Sequence, residues 1–169
     1  MSLEAFKSRV LPTKNKLYRF ALQIVKDDEE AKDIVQEVFI KVWNGKQEIE
    51  DLENTEAWCM RLTRNLCYDR VKSKRFKTTD SLEPSMSIQG GEVPDKTMEM
   101  SDTMKSIDRF IHSLPEKQQQ VMRLRDIEGY SYKEIGKMLE IDMSQVKVNL
   151  FRARKAVREN LVNINAYGL

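Results

Sequence analysis

Two stretches of this chain mix cations with groups able to read or hold a nucleobase. The first is "NTEAWCMRLTRNLCYDRVKSKR", residues 54–75. Arg61, Asn65, Tyr68, Lys72 and Arg75 recur every three or four residues and fall within a narrow arc of one helix, with Trp58 near its edge. Donors and an aromatic ring on a basic stripe suit an unstacked base and its phosphates. Flipping a base into a pocket carries the same unstacking cost. The plainer reading is a solvated charged face with Tyr68 half-buried.

The second stretch is "SYKEIGKMLEIDMSQVKVNLFRARKA", residues 131–156. Val146, Leu150, Ala153 and Val157 have helical spacing and should face a core. Val148 and Phe151 then point outward, in a row with Ser144, Lys147, Lys155 and Arg158, while Arg152 lies off it. In a DNA major groove, an apolar side chain packs on a thymine methyl and a lysine donates to guanine. Lys155 and Arg158 suit phosphates, and Arg152 suits base or backbone. Packing of Val148 and Phe151 on another segment is the competing explanation.

A third surface has the opposite charge. In "DDEEAKDIVQEVFIKVW", residues 27–43, Ala31, Ile34, Val35, Val38, Phe39 and Val42 form a core face. Asp33, Gln36, Glu37 and Asn44 lie opposite, with Ile40 among them. An apolar residue framed by acids and amides resembles a protein-docking surface. It would repel DNA and suit a basic helical partner. The acids at its start also complement a helix N-terminus.

Charge is segregated to match. Net charge is +2 over 169 residues, but 27–56 hold eleven acids against three bases, 61–77 seven bases against one acid, and 147–158 five bases and no acid. Three surfaces with different partners are expected. The composition, 33% charged and 40% apolar, is that of a soluble globular protein. Neither a membrane-spanning run nor a signal peptide is visible, so the cytoplasm is the expected location. Cys59 and Cys67 are expected as reduced, partly buried thiols on different helix faces. His112 is the only histidine, so no metal site and no cofactor are expected.

The elements that position these residues read as all-helical, in two small domains, 1–76 and 101–169, joined by a flexible linker at 77–100 with Pro84, Gly90, Gly91 and Pro94. The first domain should hold helices over 3–25 (perturbed at Pro12), 28–44 (stopped by Gly45) and 54/55 to about 74. The second should hold four, near 101–112, 115–128, 131–139 and 143–162, with Pro115 in the first turn of its helix. Ser131 and Glu134 make a capping box, and Asp142 with Gln145 a second cap of the same kind. Gly129 is placed to end the preceding helix. Two capped helices across a tight turn form a helix-turn-helix, whose second helix enters the major groove.

These surfaces, in this order, resemble the sigma-70 family of bacterial RNA polymerase sigma factors, in its small extracytoplasmic-function (ECF) branch. "AKDIVQEVFIKVW" resembles the family's polymerase-docking helix. "AWCMRLTRNLCYDRVKSKR" resembles the part of region 2 that opens the promoter and reads the −10 element. "LPEKQQQVMRLRDIEGYSYKEIGKMLEIDMSQVKVNLFRARKAV" resembles region 4, which reads the −35 element. The likeness runs from about residue 5 to 162. It implies a factor that binds core RNA polymerase, at the β′ clamp coiled coil and the β flap, and directs initiation on promoter DNA. It also implies a possible anti-sigma partner, no membrane insertion and no enzymatic activity. By position, Asn65 matches a residue near the pocket for a flipped −10 base. Ser144, Lys147, Val148, Phe151 and Arg152 match −35 readers, and Asp33, Gln36 and Glu37 match the docking face. Val148 and Asn149 depart from the small polar and basic residues common in the family, so sequence preference does not transfer. Neither a sensor domain nor a C-terminal extension is expected.

Two other functions compete. A self-sufficient operator-binding regulator would normally dimerise, yet nothing reads as a dimer helix and the acidic face would have no use. A DNA-processing enzyme needs a nucleophile or metal-binding carboxylates beside its basic surfaces. Only Asp69 lies there, and Ser131 and Ser144 are accounted for as cap and groove residues.

Overall fold

The computed structural model describes residues 2–45, 54–80 and 101–167, all in helices and short connections. The chain divides into two compact units, Met1–Pro94 and Asp95–Leu169. Most of the expected linker, 81–100, lies outside the described residues.

The first unit begins with a helical run over 3–25. Pro12 perturbs it as expected: a wider π-type turn at Phe6–Val10 and a 3₁₀ turn at Leu11–Thr13 precede helix α1, Lys14–Val25. Proline has no N–H to donate and crowds the preceding turn, so the regular ladder shifts around it. The helix ends at Lys26 in the left-handed conformation, φ 55°. Helix α2, Asp28–Asn44, starts at Asp27, whose side chain accepts from Glu30 N at 2.9 Å. Asp28, Glu29 and Glu30 in its first turn face the positive end of the helix dipole.

Helix α3, Thr55–Asp80, starts at Asn54, whose Oδ1 accepts from Ala57 N at 2.8 Å. It runs about six residues past the expected stop near 74. Residues 75–80 contain no Pro or Gly, and the Thr78 hydroxyl bonds back to Lys74 O and Arg75 O. The domain boundary expected at 76 therefore falls inside a helix. α1, α2 and α3 pack on one another. Leu17, Phe20 and Ala21 of α1 and Ile34, Val38 and Val42 of α2 are buried where these helices pack, as are Cys59, Met60 and Cys67 of α3. Each such aliphatic side chain removed from water contributes about 1.5–3 kcal/mol.

In the second unit, helix α4, Asp102–Ser113, is followed by α5, Glu116–Met122, which widens into a π-type turn at Arg123–Ile127. Pro115 is the residue before α5 rather than in its first turn; its ψ of 142° is extended. Arg123, 9% exposed, donates to Asp108 Oδ1 at 2.8 Å and lies 2.9 Å from His112 Nδ1, joining α4 to α5. Gly129 takes φ 81°, and beyond it come α6, Tyr132–Leu139, and α7, Met143–Tyr167. α7 packs against α4, α5 and α6.

The α6–α7 turn is tightly specified. Ser131 Oγ accepts from Glu134 N at 3.2 Å, and Glu134 Oε2 accepts from Ser131 N at 2.8 Å, the complete capping box. Glu140 is left-handed at φ 56°, and Ile141 N reaches back to Gly136 O at 3.0 Å. A Cβ on Gly136 would lie 2.9 Å from the Ile141 carbonyl oxygen, so only glycine lets the chain return this closely. Asp142 Oδ1 then accepts from Gln145 N at 2.8 Å and from Ser144 Oγ at 2.7 Å.

Candidate nucleic-acid interface

On α7 the split expected from spacing is present. Val146, Leu150, Ala153 and Val157 are buried, while Val148 is 44% and Phe151 68% exposed. Val148 lies nearly opposite the buried stripe by helical rotation. Ser144, Lys147, Arg152, Lys155 and Arg158 are exposed too. The Ser144 hydroxyl proton is directed to Asp142, which leaves its lone pairs facing outward. That bond is the main cause, with the Gln145 N–H second, that holds the Asp142 carboxyl below its usual range. Lys155 lies 3.9 Å from Glu159.

Arg154 was not anticipated on this surface. With Tyr132, Lys147, Phe151, Lys155 and Arg158 it lines one depression. Its guanidinium bonds twice to Asp126, at 2.6 and 3.0 Å, clasping α7 to the turn before α6. The two residues are 28 apart in sequence, so no local spacing announces the pair. Arg125 covers the Tyr132 ring at 5.0 Å.

On α3, Arg61, Asn65, Lys72 and Arg75 are exposed, and Tyr68 and Trp58 are half-buried. The Arg64 guanidinium lies 4.9 Å from the centre of the Tyr68 ring and 3.5 Å from Asn65 Oδ1. Arg64, absent from the expected stripe, thus braces both groups. Cys59, Met60, Thr63 and Cys67 line the inner face. Both cysteines are fully rather than partly buried, and neither forms a disulfide. Burial pushes each thiol up to about 12, so neither is a nucleophile at neutral pH.

On α2, Asp33 and Gln36 are exposed. Glu37 is less available than expected: Arg70 reaches it at 3.0 Å and Lys41 at 3.5 Å. Ile40, 59% exposed, is not isolated among acids. It shares an apolar depression with Leu3, Phe6, Phe39 and Trp43. Phe6 meets Phe39 and Trp43 edge-on, with centroids 5.8 and 5.5 Å apart. Phe39, expected in the core, is half-buried at this rim. The N-terminal run supplies Leu3 and Phe6, which no periodicity within α2 could indicate.

Among the described residues no group of three or more His, Cys, Asp or Glu could hold a metal ion, and no helix is long and apolar enough to cross a membrane. A basic helix-turn-helix in one unit, and in the other a basic, aromatic helix packed beside an acidic one, fit a DNA-directed factor. Residues 10–77 match the model of Sigma-70 region 2, and residues 104–157 that of Sigma-70, region 4. The chain belongs to the sigma-70 family, in its ECF branch, and acts as a sigma factor in promoter-directed transcription initiation.

It is 28% identical over 167 residues to the ECF RNA polymerase sigma factor SigW of Bacillus subtilis, covering 94% of this chain and 89% of that one. It is 25% identical to the RNA polymerase sigma-H factor of Pseudomonas aeruginosa, with 93% and 86% covered. Its fold is similar to that of the sigma factor RpoE crystallised with the anti-sigma factor NepR from Bartonella quintana. That likeness has a TM-score of 0.70 at 23% identity and covers 94% of this chain and 98% of the other. CnrH, solved with the cytosolic domain of CnrY, gives 0.66 at 18% identity, covering 96% and 90%.

Proposed function

We propose that α7 reads the −35 element, that α3 opens and holds the −10 element, and that α2 docks core RNA polymerase. The observation that carries this reading is the outward Val148 and Phe151 among cations, on a helix that the Asp142 cap and the Arg154–Asp126 clasp hold in place. Two exposed apolar side chains on a basic face have an energetic use when thymine methyls cover them. On that face Lys147 and Ser144 meet base edges, Arg152 reaches base or backbone, and Lys155 and Arg158 neutralise phosphates. On α3, Asn65 and Tyr68 receive an unstacked base, with Trp58 beside them, and Arg61, Lys72 and Arg75 track the backbone.

Asp33, Gln36 and Glu37 with the Ile40 depression take the β′ clamp coiled coil, and the second unit takes the β flap. Arg70 holds Glu37 in position for this. The chain has no enzymatic activity of its own and works in the cytoplasm. An anti-sigma protein able to cover the docking and DNA faces is a further partner; the solved relatives bound to such proteins support this. An independent operator-binding regulator is not favoured, because it leaves the region 2 surfaces without a role.

The test pairs core-binding titration with permanganate footprinting on a promoter found by run-off transcription with core enzyme. Asp33→Ala combined with Glu37→Ala weakens core binding and spares the DNA steps once saturating protein restores the complex. Asn65→Ala leaves binding of duplex −35 DNA intact and reduces thymine reactivity at −10. Absence of any promoter-specific transcript with core enzyme would refute the reading.

A further inference from the structure

The part of α3 beyond its expected end carries an aromatic residue that the promoter-reading surface has not yet used. Phe76 is 77% exposed, more than any other large apolar side chain among the described residues. A phenyl ring in that position gains nothing from burial and is a mediocre helix former, so its own helix gives it no reason to be there. Helical rotation places it about 20° from Asn65 and about 40° from Lys72, on the outer face of the helix. It lies on the side away from Cys59, Met60 and Cys67, which are buried. Around it, residues 70–77 hold five bases (Arg70, Lys72, Lys74, Arg75 and Lys77) and no acid, with Arg70 and Lys74 paired to Glu37 and Glu30 of α2.

Charge selects the occupant. A ring beside Lys72, Arg75 and Lys77 suits a polyanion that also offers flat apolar faces, which is DNA whose bases are accessible. An aromatic ring stacks on the face of any such base, and flanking cations hold the adjacent phosphates. Spacing adds a position. Tyr68 and Phe76 are eight residues apart, about 12 Å along the helix, or between three and four base steps at about 3.4 Å each. We infer that Phe76 is a second aromatic contact to promoter DNA, stacking on a base at one edge of the opened segment whose other part meets Asn65 and Tyr68. This rests on the −10 assignment of α3. It adds a residue that sets how readily the segment opens, and it makes the extension of α3 to Asp80 functional.

The test uses holoenzyme, assembled from core polymerase and the full chain, on two templates: the duplex promoter and the same promoter with a preformed mismatch bubble. Phe76→Ala should slow opening on the duplex about tenfold, within the range measured for loss of one aromatic–base stack, and should leave the bubble template within twofold. Phe76→Trp should open the duplex at the parent rate, and Phe76→Leu should stay impaired. Opening within twofold of the parent for Phe76→Ala overturns the inference. So does equal loss on both templates, which marks a general backbone or docking contact. Full rescue by Phe76→Leu also overturns it, because that marks an apolar cover, by residues 81–100 or by a protein, in place of a base. Asn65→Ala and Tyr68→Ala are measured in parallel. If they slow opening and Phe76→Ala does not, this inference alone fails; if none of the three does, the −10 assignment of α3 itself fails.

Discussion

The two helices proposed to face DNA are braced differently. α7 is braced before it meets anything: Asp142 caps its first turn, Gly136 lets the preceding helix return closely, and Arg154 is clasped to Asp126. Its core stripe and its outer stripe lie on opposite sides. That suits a duplex groove, whose donor and acceptor pattern is already formed and rewards a rigid reader. α3 is anchored along 55–67 by a buried face, but from Lys72 through Thr78 every residue is exposed. Its base-holding candidates are braced by a neighbouring side chain, Arg64, instead of by the core. An unstacked base has no preset position, and a surface of aromatic and cationic side chains accepts it over a range of geometries.

The largest expected effect tests how far α7 depends on its core. Leu150, 2% exposed, becomes a cavity in Leu150→Ala. The second unit should lose about 2–5 kcal/mol, seen as early exchange of its amide protons, while the first unit keeps its protection. If the amides of both units lose protection together, the two do not unfold independently. A smaller change sharpens the contrast between the helices. Lys147→Ala and Phe151→Ala should each lose about 1–3 kcal/mol of discrimination between −35 sequences, read as the ratio of run-off transcripts from matched and mismatched promoters. Tyr68→Ala should leave that ratio unchanged and reduce permanganate reactivity at −10. A shared defect at a single step would erase the division of labour.

Titration separates the units more gently. In the second unit, the His112 hydrogen bond first, and then Arg123, hold the Asp108 carboxyl at about 2, and Asp108 raises His112 above 6.5. The depressed carboxyl contributes stability above its unfolded value of 3.8, lost as pH falls toward 2. The raised imidazole contributes stability below 6.5, lost as pH climbs through its folded value. The second unit should therefore be most stable at mildly acid pH and decline through neutrality. His112→Asn should flatten the alkaline side of that profile, measured by urea midpoints across pH. The first unit has no histidine, and its buried thiols, at about 12, titrate only in strong alkali.

The smallest effect concerns two left-handed residues, one in each unit. Lys26→Gly and Glu140→Gly remove a Cβ from φ 55° and 56°. The relief of roughly 1–2 kcal/mol is partly offset by glycine's larger loss of chain freedom, roughly 0.5–1 kcal/mol. Each should raise the melting midpoint slightly. Any destabilisation would mean that the side chain holds something more valuable than the strain.

What the sequence by itself determined is what lies within one or two helical turns. The buried stripe Val146, Leu150, Ala153 and Val157 and the caps at Ser131 and Asp142 are set by interactions three or four residues apart, and spacing records these directly. The outward placement of Phe151 follows from the same periodicity.

Only the tertiary structure decided the partners of long side chains. Arg154 finds Asp126, Arg70 finds Glu37, and Arg123 joins Asp108 and His112, across separations of 28, 33 and 15 or 11 residues. It also decided that Ile40 opens onto an apolar depression lined by Phe6. The end of α3 was missed for a related reason. Apolar periodicity marks a helix only where something packs on it, and 72–78 have no buried face to write into the pattern. Helix there continues on the absence of a breaker and on the bonds Thr78 makes to its own preceding turn. A flexible cation samples many rotamers, and which acid it meets depends on how helices distant in sequence are brought together by the core between them.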